Sequence, residues 1–211
     1  MNQFDFLPKE SVIFLDSSIV DPYCDKDFCN LTSERIKRVR DLRDKLANMD
    51  NWIAIPEVIE ESRRGLKKLK KIVQHLKVGH QEYKNDFIMQ KERMKLRNLF
   101  QATAESSPIL TSKLEDKMKA IYPRVKEIFL RYDGKTNELE TDIKVVAYTL
   151  SHAQLYREGI QTCIWTYDSA MLKTLFEIAE KWDIPNLAMI SERKRTVIPA
   201  HQAVKKPVLM Q

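Results

Sequence analysis

Three aspartates stand where a metal-dependent reaction could use them. Asp16 directly follows the apolar run VIFL, and Asp168 closes the similar run CIWTYD. Asp142 falls near the start of a predicted helix that leads towards the second of these runs. Hard divalent ions such as Mg²⁺ and Mn²⁺ bind several carboxylate oxygens at once. Such an ion lowers the pKa of a water molecule and stabilises a departing oxygen, and phosphodiester cleavage needs both effects.

A fourth acidic group opens the polar stretch in the segment IAIPEVIEESRRG. It contains Glu57, Glu60 and Glu61, all within the first turns of a predicted helix. Acids are common in first helical turns because they interact favourably with the helix dipole, and aspartates are common in loops after strands. Each acid alone therefore has a structural explanation. The four segments together indicate a carboxylate site.

The elements that must position these acids alternate between strands and helices. The apolar runs in VIFL, NWIAIP, IQTCIWT and NLAMIS are too short for helices and predict buried strands, and longer amphipathic stretches between them predict helices. This alternation predicts an α/β fold with three α/β/α layers and a mostly parallel sheet of four or five strands. Ligands of such sheets bind beyond the carboxyl ends of the strands, where the acids fall.

The chain is predicted to form a single domain, 1–211, because 211 residues can bury one full core. Two additions to the sheet core are expected. A helical, basic elaboration covers about 66–135, and an irregular C-terminal arm covers about 192–211, where the sequence has little periodicity.

The formal net charge is +6, and the basic residues are concentrated between positions 63 and 77, where no acid occurs. A run of positive charge suits a polyanion, since neutralising phosphates releases condensed counterions. A solvated helix face explains the same pattern equally well. The candidates for nucleic-acid binding are Arg63, Arg64, Lys67, Lys68, Lys70 and Lys71.

The apolar runs of the sequence are far shorter than the roughly 20 residues of a bilayer helix. The N-terminal segment MNQFDFLPKE lacks the basic start and the apolar stretch of a signal peptide. We therefore expect no membrane partner and a cytoplasmic location.

Three hydroxyl residues accompany the acids. Ser17 and Ser18 follow Asp16, and Thr166 precedes Asp168 by two positions. The serines could orient a carboxylate or a phosphate oxygen, or they could cap the turn that follows. We treat all three as supporting residues of the site.

Four segments, in this order, resemble the pattern of the PIN-domain ribonuclease family: VIFLDSSIV, IAIPEVIEESRRG, DIKVVAYTL and CIWTYDSAM. The resemblance implies a PIN-like fold, metal dependence and cleavage of single-stranded or structured RNA. It places the first, third and fourth acids of the family on Asp16, Asp142 and Asp168. These residues would be both catalytic and metal-binding, with Mg²⁺ or Mn²⁺ as the cofactor and either one or two ions bound.

The second acid of the family pattern fits Glu61 best, because this residue stands four positions before Gly65, as in the Glu-x-x-x-Gly stretch of the family. Glu60 is a close rival and Glu57 an outsider. The segment between this acid and the third is far longer than in compact PIN domains, and Ala170 stands where many members have a further acid. These departures allow a larger RNA-processing enzyme as well as the toxin of a toxin–antitoxin pair.

The leading hypothesis is a Mg²⁺- or Mn²⁺-dependent endoribonuclease that hydrolyses RNA phosphodiester bonds. One alternative is a catalytically inactive PIN-like scaffold that binds RNA or a protein. A phosphatase with Asp16 as its nucleophile is less favoured, because such enzymes usually carry a second aspartate where this chain has Ser18. An antitoxin, another protein partner and a homodimer are open alternatives for the assembly.

Overall fold

The computed structural model describes residues 4–20, 32–76, 84–104, 110–133 and 139–203. Within these ranges, one or more helices separate each of the first four strands, as the hydrophobic pattern predicts. The strands are β1 (Ser11–Leu15), β2 (Trp52–Ile53), β3 (Gln161–Trp165), β4 (Leu187–Ser191) and β5 (Thr196–Pro199). The helices are α1 (Ser17–Val20), α2 (Thr32–Ala47), α3 (Pro56–Leu76), α4 (Lys84–Ala104), α5 (Ser112–Asp133), α6 (Glu140–Leu155), α7 (Ser169–Lys181) and α8 (Ala200–Ala203).

The five strands form one sheet in the order β2-β1-β3-β4-β5. The first four strands are parallel, and β1 pairs with β3 along its full length, from Ser11 opposite Gln161 to Leu15 opposite Trp165. Parallel strands have their carboxyl ends at the same edge of a sheet. The segments that follow β1, β2, β3 and β4 therefore begin at one edge, which we call the carboxyl edge. The predicted α/β class with a mostly parallel sheet is confirmed.

The strongest helix contacts fall into two groups. One group contains α2, α3 and α4, and the other contains α5, α6, α7 and α8. This grouping is compatible with the predicted three-layer arrangement. The buried apolar side chains of the sheet and of both groups, such as Phe14, Phe100 and Phe129, belong to one hydrophobic core.

The predicted elaboration at about 66–135 corresponds to most of α3 and to α4 and α5. Helix α3 runs without a break from Pro56 to Leu76, so position 66 lies inside a helix that begins at the sheet. α4 packs on α2 and α3, and α5 packs on α6 and α7. These helices therefore share the core of the sheet and do not form a separate layer of their own.

The prediction of an irregular arm at about 192–211 is wrong for its first part. Residues 196–199 form the antiparallel edge strand β5, in which Val197 pairs with Ile190 and Ile198 with Met189. Helix α8 follows, and residues 204–211 lie outside the described part. The segment TVIP is short and ends in a proline, which cannot donate a hydrogen bond to a strand partner. Its strand conformation comes from pairing with β4, which periodicity does not report.

The long helices α3, α4 and α5 have 21, 21 and 22 residues, which is the length of a bilayer span. Their charged residues are spread along the whole of each helix. Among the described residues, no helix is both long and apolar enough to cross a membrane.

Candidate functional site

Two of the predicted acids lie on neighbouring strands at the carboxyl edge. Asp16 follows β1 directly, and its backbone N–H donates to the carbonyl of Trp165, the last residue of β3, at 3.1 Å. Asp168 stands three positions beyond that residue, immediately before α7. Sheet pairing therefore brings together two acids that are 152 positions apart in the sequence.

A network of hydroxyl groups connects the two segments. The Thr166 hydroxyl donates to Oδ2 of Asp16 at 2.9 Å and accepts the backbone N–H of Asp168, also at 2.9 Å. The Ser18 hydroxyl donates to the same Asp16 oxygen at 2.5 Å and accepts the backbone N–H of Tyr167 at 3.2 Å. Each hydroxyl uses its proton towards Asp16 and its oxygen towards the segment after β3.

The hydroxyls of Ser18 and Thr166 therefore orient a carboxylate. Ser17 lies at the limit of hydrogen bonding, with its hydroxyl 3.5 Å from Oδ1 of Asp16. The Asp16 side chain is only 3% exposed. Burial raises its pKa, and the hydrogen bonds from Ser18 and Thr166 oppose that rise.

Asp168 also has a structural role. One oxygen of its carboxylate accepts the backbone N–H groups of Ala170 at 2.7 Å and Met171 at 2.9 Å, which caps the N-terminus of α7. Among the described residues, the other oxygen, Oδ2, forms no hydrogen bond, so capping leaves half of the carboxylate for a ligand.

Asp142 lies in the first turn of α6, the helix that precedes β3. Burial and the negative charges of nearby acids raise its pKa from 3.8 to about 8. The acids are, in order of their effect, Asp16, Asp168, Glu61 and Asp133. The structure thus places the other three leading candidates within electrostatic reach of Asp142, and we call Asp16, Glu61, Asp142 and Asp168 the acidic site.

The three glutamates at the start of α3 have different surroundings. Glu61 is half-buried and acts on Asp142. Glu60 points outwards and lies 3.7 Å from Arg63, with more than half of its side chain exposed. Glu57 forms an ion pair with Lys144 of α6 at 2.8 Å. These contacts favour Glu61 over both rivals as the α3 member of the site.

The acidic site has the chemistry of a divalent-cation site, since hard ions prefer carboxylate oxygens. Its side chains do not have the matching geometry. In the described ranges, no three Asp, Glu, His or Cys side chains are grouped so that they could hold a metal ion. Asp16 and Asp168 instead direct carboxylate oxygens at hydroxyl and N–H donors. Bound Mg²⁺ or Mn²⁺ therefore stays a prediction.

The basic residues of α3 form an exposed face on the same helix that carries Glu61. Leu66 and Leu69 are buried on the opposite side. Gly65 has a packing role, because a Cβ atom there would lie 2.2 Å from the guanidinium of Arg97, which donates to the carbonyl of Ser62. All six candidates are exposed, and we call them the basic face: Arg63, Arg64, Lys67, Lys68, Lys70 and Lys71.

Sequence reasoning missed two features of this edge. Asp133, at the end of α5, adds to the negative charge around Asp142. A buried anchor cluster of Arg38, Tyr167 and Glu192 lies beside the acidic site, where Arg38 donates to both oxygens of Glu192 at 2.7 and 2.8 Å and to the hydroxyl of Tyr167 at 2.5 Å. The Tyr167 hydroxyl donates to Glu192. Arg38 is surrounded by charged residues in the sequence, so no local pattern marks it as buried.

The resemblance to PIN-domain ribonucleases rests on the four sequence segments and on the order of the acids. Comparison with known proteins adds nothing to it. No protein-family model, no curated protein and no solved structure matches this chain.

Proposed function

We propose that this chain is a Mg²⁺- or Mn²⁺-dependent endoribonuclease whose reaction centre is the acidic site at the carboxyl edge of the sheet. The observation that carries the proposal is the hydroxyl of Thr166, which joins the carboxylate of Asp16 to the backbone of Asp168 across two neighbouring strands. This bond fixes two acids from remote parts of the chain side by side, where α/β sheets bind their ligands.

The acidic site supplies the residues that would hold a cation. Asp16 is the best oriented of them, because Ser18 and Thr166 fix its carboxylate. Asp168 is held by its capping bonds, and Glu61 and Asp142 approach from α3 and α6. A bound divalent ion would supply a nucleophile near neutral pH and would stabilise the charge of the leaving oxygen.

Asp142 makes the binding of a cation dependent on pH. Without a cation its pKa is about 8, so its carboxyl group holds a proton through the neutral range. A cation that uses this carboxylate must displace the proton, and its affinity is expected to rise with pH up to about 8.

The basic face provides the reason to expect a polyanionic substrate. Its six residues lie within three turns of Glu61 and are exposed, so they can attract a phosphate backbone towards the acids. Contacts of this kind are largely independent of base sequence. The choice of RNA over DNA comes from the resemblance to PIN-domain ribonucleases.

The proposal is tested by incubating labelled single-stranded and hairpin RNA with the protein in Mn²⁺, in Mg²⁺ and in EDTA. We expect internal cleavage with either ion and none in EDTA. Asp16→Asn should abolish cleavage, and Glu60→Gln should leave it unchanged, because Glu60 is exposed and pairs with Arg63.

The same assay separates the alternatives. RNA that is bound but not cut under every condition would support the inactive scaffold and contradict the proposal. Hydrolysis of a phosphate monoester such as p-nitrophenyl phosphate, without RNA cleavage, would support the phosphatase. Cleavage that continues in EDTA would show that the acids do not act through a cation.

A further inference from the structure

The turn between β4 and β5 presents three exposed basic residues at the carboxyl edge. Arg193, Lys194 and Arg195 are all exposed. The turn is closed by two bonds: the backbone N–H of Arg195 donates to the carbonyl of Glu192 at 3.1 Å, and that of Lys194 donates to the hydroxyl of Ser191 at 3.3 Å. The positive charges are therefore presented on an ordered turn.

The anchor cluster attaches this turn to the interior of the protein. Glu192 is the first residue of the turn, and its side chain is only 9% exposed because Arg38 binds both of its oxygens. The buried guanidinium balances the charge of Glu192, so that acid does not offset the exposed bases beside it. Through Tyr167 the cluster also contacts the segment that carries Asp168. The cluster thus connects the turn to the segment that carries Asp168.

The backbone conformation of Arg195 suggests that its side chain has a functional role. Its φ of 49° lies in the left-handed region, which residues other than glycine, asparagine and aspartate rarely adopt. A glycine would form this turn with less strain. Strained positions of this kind are found more often at binding sites than elsewhere.

The order of the strands places the acidic site between two basic elements. Asp16 and Asp168 follow the central strands β1 and β3. Helix α3, with the basic face, follows the edge strand β2 on one side, and the basic turn follows β4 on the other. Neighbouring strands are about 4.8 Å apart, so β4 lies about 10 Å from β1.

We propose that the β4–β5 turn, with Lys194 and Arg195, is a second phosphate-binding element, and that a single strand of RNA crosses the carboxyl edge from the basic face to this turn. The inference rests on the proposed function and adds the path of its substrate. A flexible single strand of RNA can contact basic side chains on both sides of the acidic site while its backbone passes over the acids between them.

The test is binding of a labelled single-stranded RNA in EDTA, where no cation-dependent cleavage occurs, at a series of salt concentrations. Lys194→Ala with Arg195→Ala should weaken binding several-fold and reduce the slope of log affinity against log salt by about 1.4, which is about 0.7 for each lost phosphate contact. The matched control is Arg157→Ala with Lys181→Ala. Both of these residues are exposed and lie near the amino ends of β3 and β4, at the opposite edge of the sheet. The control removes the same charge and should change neither quantity.

A second variant separates charge from folding. Arg195→Gly removes the side chain but relieves the left-handed backbone, so its melting temperature should equal or exceed that of the wild type while RNA binding becomes weaker. The inference is overturned if the double variant binds like the wild type, if the control loses as much affinity, or if the wild type binds no RNA. RNA that is bound through the turn but not cut with Mn²⁺ would contradict the proposed function alone.

Discussion

The anchor cluster and the acidic site both lie at the carboxyl edge of the sheet, but their buried charges have opposite surroundings. In the anchor cluster, Glu192 receives both of its hydrogen-bonding partners from inside the protein, and the positive charge of Arg38 balances it. In the acidic site, Asp142 is surrounded by other acids, and no described cation forms an ion pair with any of the four members.

The pKa values of the two regions differ accordingly. Burial alone lowers the pKa of Arg38, but the hydrogen bonds and charges of Glu192 and Tyr167 together outweigh it and raise that pKa above its usual value. At Asp142, burial and neighbouring charges act in the same direction and raise the pKa to about 8. In the anchor cluster, the charge of Glu192 is balanced by Arg38 without a ligand. At Asp142, a bound proton or cation would instead relieve the repulsion between the acids.

This comparison predicts that removing a charge has opposite effects on stability in the two regions. Arg38→Met should lower the free energy of unfolding by about 3–5 kcal/mol, because it leaves Glu192 buried without its partner. Chemical denaturation of the purified variant measures the loss. Arg38→Met combined with Glu192→Leu should recover part of it, and a double variant no more stable than the single one would show that the pair does not act as a unit.

Two adjacent glutamates of α3, Glu61 and Glu60, provide a matched pair of variants for testing the acidic site. Glu61→Gln should reduce Mn²⁺-dependent RNA cleavage by more than about 100-fold. Mutation of residues that only support metal ligands already lowers metal affinity or activity by about 10- to 100-fold. Glu60→Gln changes the same chemistry one position away on the exposed side of α3 and should have no effect. Initial cleavage rates at saturating RNA measure both. Equal losses in the two variants would contradict the assignment of the α3 acid.

The raised pKa of Asp142 predicts how the free energy of unfolding depends on pH. Between its unfolded pKa of 3.8 and its folded pKa of about 8, the folded chain keeps a proton that the unfolded chain has released. The free energy of unfolding of the cation-free protein should therefore fall as pH rises through this range. Asp142→Asn should reduce the fall and be more stable than the wild type at pH 9 by about 1 kcal/mol or more, or about 2–4 °C in melting temperature.

The control for this prediction is Asp116→Asn, an exposed acid on α5. Melting curves at pH 5, 7 and 9 in EDTA distinguish the three proteins. A wild type whose stability rises from pH 5 to pH 9, or an Asp142→Asn variant that is less stable at pH 9, would contradict the electrostatic account of the site.

The smallest expected effect concerns the basic face. Replacing Lys67, Lys68, Lys70 and Lys71 with alanine should weaken RNA binding and lower its salt slope by about 0.7 for each phosphate contact that is lost. The matched control removes four exposed bases from α5, at Lys113, Lys119, Arg124 and Lys126. Fluorescence anisotropy with labelled RNA in EDTA measures both slopes. An unchanged slope in the α3 variant would indicate that the basic face is a solvated helix surface that does not bind RNA.

The parts of the fold that local patterns determine were predictable from the sequence. Short apolar runs predict β1, β3 and β4, and the acid that follows an apolar run predicts the positions of Asp16 and Asp168 at the carboxyl edge. Both lie there because a buried strand must end where polar groups can reach solvent or a partner. Strand β5 was not predictable, since the segment TVIP has no hydrophobic pattern of its own and depends on pairing with β4.

The contacts between distant parts of the chain were not predictable either. The charged residues of the amphipathic segment ERIKRVRDLR would be expected on its solvated face, yet Arg38 is 3% exposed because its partner is Glu192, 154 positions away. The sequence also left open the choice between Glu60 and Glu61. The rotation of α3 about its axis separates them, and that rotation is set by the burial of Leu66 and Leu69.

The central claim is that the four acids form one cation-dependent site, and the most direct test is the effect of Mn²⁺ on thermal stability at pH 8. With Mn²⁺ at about 100 times its dissociation constant, the wild type should gain about 2.7 kcal/mol, or about 5–10 °C in melting temperature. Asp142→Asn should lose most of this gain, and Asp116→Asn should keep it. A wild type whose melting temperature does not change with Mn²⁺, or an Asp142→Asn variant that gains as much as the wild type, would contradict the account.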